Sequence, residues 1–132
     1  MATAPTSING QGADLPVMAS KVRVPLVALL VRARLNDALD GLWDRRLGLV
    51  VAPPGSGKTS LLVQFALSQE TPVAWYRAEV SERDAPAFLA HVRAALAAPL
   101  GAPPAGSGVE DVIRAVDDFR GRRLLLVIDD LH

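Results

Sequence analysis

The sequence predicts an α/β fold, a parallel sheet flanked by helices in three layers. Three observations predict it. Short apolar runs alternate with stretches of helical periodicity; a loop rich in proline and glycine sits directly between one such run and a helix; and a later apolar run ends in two adjacent acids. Parallel strands need crossover connections, and helices usually supply them.

The bulk properties agree with a packed domain. The chain has 132 residues, half of them hydrophobic, with a mean hydropathy of +0.25. A chain of this size buries about two-thirds of its unfolded surface. Lys and Arg together number 14 and Asp and Glu 14, so the formal net charge is zero. That balance gives no electrostatic footprint for nucleic acid or an acidic membrane. Cysteine is absent, which excludes disulfides and thiolate metal sites. No apolar run is long enough to span a bilayer, and the N-terminus lacks the pattern of a signal peptide. The expected location is cytoplasmic.

Residues 1–20 are rich in Ala, Thr, Ser, Gly and Pro without periodicity, and read as a flexible tail preceding a domain over 21–132. Leu35, Ala38, Leu39 and Leu42 recur at helical spacing, predicting an amphipathic helix from Arg32 to about Asp44. Leu47 to Ala52 reads as a strand, followed by a loop and a helix carrying Leu61, Leu62 and Phe65 on one face. A second strand is expected at Val73 to Tyr76. Asp84 caps the next helix, with Pro86 in its first turn and Phe88, Val92 and Leu96 inward. Pro99 to Gly108 reads as a connection. Ser107 and Glu110 fit a capping box opening a helix that buries Val109, Val112, Ile113, Val116 and Phe119 and ends at Gly121. Leu124 to Ile128 reads as a strand covered on both faces.

The strongest chemical signal is Ala52-Pro-Pro-Gly-Ser-Gly-Lys-Thr59. It has the P-loop (Walker A) pattern, with Ala52 where the strict form has glycine. Gly55 and Gly57 allow the backbone to curl with its N–H groups inward, an anion nest that side chains would obstruct. The following helix adds the positive end of its dipole. Lys58 supplies a full charge to the β- and γ-phosphates, and the Thr59 hydroxyl is a magnesium ligand. Pro54, Gly55, Ser56, Gly57, Lys58, Thr59 and Ser60 are the candidate phosphate-binding residues. The second signal is Leu124-Leu-Leu-Val-Ile-Asp-Asp130, the Walker B form. Here Asp129 is the candidate magnesium partner and Asp130 the residue that orients or deprotonates an attacking water, with Lys58 the other catalytic candidate. The fold expectation therefore sharpens to a P-loop NTPase. Trp75 and Tyr76 are expected in the core, His91 in a structural or exposed role, and Arg120, Arg122 and Arg123 in a solvated turn.

These motifs occur in an order that resembles a known family. Lys21-Val-Arg-Val-Pro25, Val31-Arg-Ala-Arg-Leu35, Leu49 to Thr59, Val73-Ala-Trp-Tyr76, Phe88-Leu, Ala94-Ala-Leu96 and Val127 to His132 look like the N-terminal part of the ATPase module of MalT-like regulators. These belong to the STAND class of P-loop NTPases, with similar modules in LuxR-type and SARP/BTAD-type bacterial transcriptional regulators. The resemblance implies ATP and Mg2+ as cofactors, slow hydrolysis, and self-association of the full-length parent coupled to nucleotide state. It implies DNA binding only through a domain outside this chain, and no membrane partner. It also implies that the segment before the P-loop holds the adenine, making Val31 and Arg32 base contacts. The preference for ATP over GTP rests on the resemblance alone. Many related ATPases have Glu as the second acid, whereas this chain has the shorter Asp130.

The same class places a later strand between the P-loop strand and the Walker B strand, so the domain is expected to be incomplete at its C-terminal side. Two other readings accompany the switch with slow turnover. One is a nucleotide-binding switch without turnover; the other is a truncated, non-functional product. A P-loop kinase is a further enzyme reading, although no acceptor-binding motif is evident.

Overall fold

The computed structural model describes residues 15–25, 30–79, 81, 84–119 and 123–130. The greater part of the expected tail, Gly121, Arg120 and Arg122 lie outside the described residues. After a 3-10 turn at Ala19–Val22, the elements are α1 (Ala33–Asp40), α2 (Lys58–Ser68), β1 (Val73–Arg77), α3 (Ala85–Leu100), α4 (Val109–Asp118) and β2 (Leu125–Asp129). The helix expected from Arg32 to Asp44 is formed as α1, tightening into a 3-10 turn at Gly41–Asp44.

Among the described residues the sheet has two strands, β1 and β2, paired in parallel with Val73 opposite Leu125 and Arg77 opposite Asp129. Side chains alternate across a strand, and the core divides accordingly. Trp75, Leu125 and Val127 pack with Val63, Phe65 and Ala66 of α2. Ala74 and Tyr76 face the other way and pack with Val92, Ala95 and Leu96 of α3. The fold is thus α/β, a small parallel sheet flanked by helices on both faces. Trp75 and Tyr76 are core residues, as expected, and buried His91 stacks on Tyr76 at 5.2 Å. Arg123 is exposed and lies over the Trp43 ring at 5.4 Å.

Asp84 caps α3, its carboxylate accepting from the Ala87 N–H at 3.2 Å. The helix continues through Pro99, beyond the expected end, and stops at Gly101, whose φ is 86°. The entry to α4 also differs from expectation. Gly108, not Ser107, is the N-cap, and Asp111 accepts from its N–H at 3.0 Å. The predicted burial of α4 is corrected as well: Val109, Ile113 and Val116 are exposed, and Val112 alone of its valines reaches the core beneath α3. Similarly, β2 is covered on one face only in part, since Leu126 is exposed.

The largest correction concerns Leu47 to Ala52, which forms no strand. Leu47, Leu49 and Val51 are 79%, 78% and 81% exposed. The segment is separated from β2 by a cleft of about 300 Å³ lined by Gly48 to Ala52 and Leu125 to Asp130. A second opening of about 710 Å³ is lined by the same segment and reaches Leu35, Ala38 and Leu61. A strand needs paired neighbours to be stable, and among the described residues this segment joins no sheet. No helix among the described residues is long and apolar enough to cross a membrane.

Candidate functional site

The candidate site is built where α2 begins and β2 ends. The loop Ala52 to Gly57 enters α2 through two left-handed glycines, Gly55 at φ 78° and Gly57 at φ 85°. A β-carbon is disfavoured in that region, so the glycine spacing read from the sequence has a direct backbone cause. Lys58 and Thr59 occupy the first turn of α2, where free N–H groups and the helix dipole favour anions.

Lys58 Nζ folds back over the loop, donating to the Ala52 carbonyl at 2.5 Å and lying 3.4 Å from that of Pro53. The Thr59 hydroxyl donates to Asp129 Oδ2 at 2.7 Å. The other oxygen of Asp129 accepts from the Asp130 N–H at 3.0 Å. Asp129 is only 2% exposed, so both of its oxygens need partners, and both have one. Two residues separated by 70 positions thereby meet at one point, as the motifs require.

Asp130 lies in the left-handed region at φ 57°, unusual for a residue with a side chain. Its carboxylate accepts from Arg77 Nε at 3.1 Å, across the strand pair from β1. The Arg77 side chain is 60% exposed, which keeps this ion pair weak. Sequence reading missed Arg77, although a parallel pairing of the two strands would have placed it opposite Asp129.

The two residues expected to hold a base stand just before α1. Val31 is 74% exposed. Arg32 instead turns toward the loop, its Nη1 donating to the Ser56 carbonyl at 3.0 Å. Its backbone N–H donates to Gln64 Oε1 at 3.3 Å, and Asn36 Nδ2 reaches the same oxygen at 2.7 Å. Gln64 and Asn36 gave no sequence signal beyond being polar residues on amphipathic helices. Ser56 and Ser60 are half-buried beside the loop, while Pro54 is exposed at its tip.

The oxygen pair of Thr59 and Asp129 suits Mg2+, which takes one or two protein oxygens and keeps water and phosphate in its remaining positions. Among the described residues there is no cluster of three or more His, Cys, Asp or Glu that would form an all-protein metal cage.

No protein-family model and no solved structure matches the chain. Among curated proteins, it is 31% identical over 122 residues to the HTH-type transcriptional regulator MalT of Cronobacter sakazakii, covering 83% of this chain and 13% of that protein. It is 35% identical over 130 residues to the serine/threonine-protein kinase PknK of Mycobacterium tuberculosis, covering 89% of this chain and 11% of that protein. MalT of Yersinia enterocolitica is 34% identical over 73 residues. The chain spans only a small part of the length of these relatives, but over most of its own length it is related to MalT.

Proposed function

We propose that this chain is the phosphate- and magnesium-binding part of a P-loop NTPase domain, and that it serves as the ATP-dependent switch of a cytoplasmic MalT-like transcriptional regulator. The observation that carries this reading is the contact of Thr59 with Asp129 at 2.7 Å, directly beside the glycine loop and Lys58. The similarity to MalT supports the regulator part of the proposal.

In this reading the N–H groups of Gly55 to Ser60 receive the phosphates and Pro54 shapes the loop tip. Lys58 leaves the Ala52 carbonyl to meet the β- and γ-phosphates. Thr59 and Asp129 would hold Mg2+, which neutralises charge on the phosphate oxygens. Thr59 keeps a lone pair available because its proton is donated to Asp129. Asp130 orients the attacking water once its carboxylate leaves Arg77. Self-association and DNA binding belong to the full-length parent, the latter through a separate domain.

The test is nucleotide binding by the full-length protein and its Lys58→Ala variant. The variant is expected to lose most of its affinity for Mg–ATP; unchanged affinity would sink the assignment. A switch that binds without turnover is the second reading, favoured by the contact that the Asp130 carboxylate already makes with Arg77. Equal phosphate release from wild type and Asp130→Ala would select it.

A further inference from the structure

The Arg32 guanidinium lies against a peptide of the loop, the one joining Ser56 to Gly57. Its Nη1 holds the Ser56 carbonyl at 3.0 Å. A β-carbon added to Gly57 would lie 2.7 Å from its Nη2, so the side chain covers the Ser56–Gly57 peptide closely. In a trans peptide the C=O of one residue and the N–H of the next point to opposite sides. Fixing the Ser56 carbonyl on Arg32 therefore fixes the Gly57 N–H, directed away from Arg32. Arg32 is itself anchored. It is the N-cap of α1, its carbonyl accepts from Leu35 and Asn36, and its N–H is tied to Gln64 of α2.

We propose that Arg32 is a positioning residue for the phosphate loop: it clamps the Ser56 carbonyl so that the Gly57 N–H is held ready for a phosphate oxygen. The proposal rests on the nucleotide-site reading and replaces the expected base contact of Arg32 by a role that ignores the base. It gives the segment before the loop a direct hold on phosphate affinity, since displacing the start of α1 releases the clamp.

The experiment measures binding of Mg–ATP and of Mg–tripolyphosphate, which has no base, to the full-length protein by calorimetry. Arg32→Ala is expected to weaken both ligands by the same factor, about tenfold, the scale of a hydrogen bond to a charged group. Arg32→Lys, which keeps a cationic donor, is expected to recover part of the loss for both, and it carries the comparison if the alanine variant does not fold. Asn36→Ala removes a contact between α1 and α2 that shares Gln64 Oε1 with the Arg32 N–H but leaves the Arg32–Ser56 bond in place, and is expected to weaken both ligands clearly less than Arg32→Ala. A loss confined to ATP in the Arg32 variants would overturn the clamp in favour of a base contact. Equal losses in Asn36→Ala and Arg32→Ala would reduce the role to docking of α1 and overturn it as well, as would no loss at all. A wild-type protein that binds neither ligand would instead overturn the nucleotide-site reading itself.

Discussion

At the scale of single residues, the site is a set of side chains already engaged with one another. Lys58 is bonded to the loop's own carbonyls, so on the proposed reading its exchange onto phosphate would replace bonds to neutral oxygens by bonds to anionic ones. Asp129 is a buried carboxylate whose partners are the Thr59 hydroxyl and a backbone N–H. Replacing it with alanine leaves Thr59 without its acceptor and is expected to weaken Mg-dependent nucleotide binding far more than binding measured in the presence of a chelator. Titration with and without Mg2+ reads that difference. Asp130 was legible in the sequence as an acid, but its left-handed backbone was not. Asparagine tolerates that conformation better than alanine does, so Asp130→Asn is expected to retain nucleotide affinity while phosphate release falls about tenfold or more, in line with a lost general base.

At the scale of elements, the helices and the paired strands were legible because their periodicities are long or their apolar runs continuous. Asp84 announced α3 by its chemistry, and Asp84→Ala is expected to lower stability by ~1 kcal/mol in a denaturation experiment. What failed were the elements whose fate depends on distant partners. Val109, Ile113 and Val116 have the spacing of a buried face, yet they stay exposed, with no element among the described residues covering them. Leu47 to Ala52 has the composition of a strand, but pairing is a property of two segments, and among the described residues no segment pairs with this one. Its amides are therefore expected to exchange with solvent much faster than those of Val73–Arg77, and hydrogen exchange followed by mass spectrometry resolves the two peptides. Protection of 47–52 equal to that of β1 would mean the segment finds a partner in solution.

At the scale of the whole molecule, the candidate site joins two halves, the loop with the start of α2 and the end of β2. α2 and the two strands share one core cluster, so the halves meet on packed elements. Sequence motifs identified both halves of the site and their order. They could not show how the halves are tied, because Gln64, Asn36 and Arg77 belong to no motif, and their roles arise only from the packing of α1 on α2 and of β1 beside β2. Bridging the halves should stabilise the molecule, and Mg–ATP at a hundred times its Kd is expected to add about 2.7 kcal/mol, read as a rise in thermal midpoint. The open cleft beside β2 lies along the same join. On the nucleotide-site reading, an extended segment seated there and a bound nucleotide would both hold the loop beside the acids, which already meet through Thr59 and Asp129. Two ligands that favour one arrangement must each strengthen the other's binding by the same factor. On that reading, a segment that paired with Leu49 and Val51 across the cleft and a nucleotide on the loop would be thermodynamically coupled.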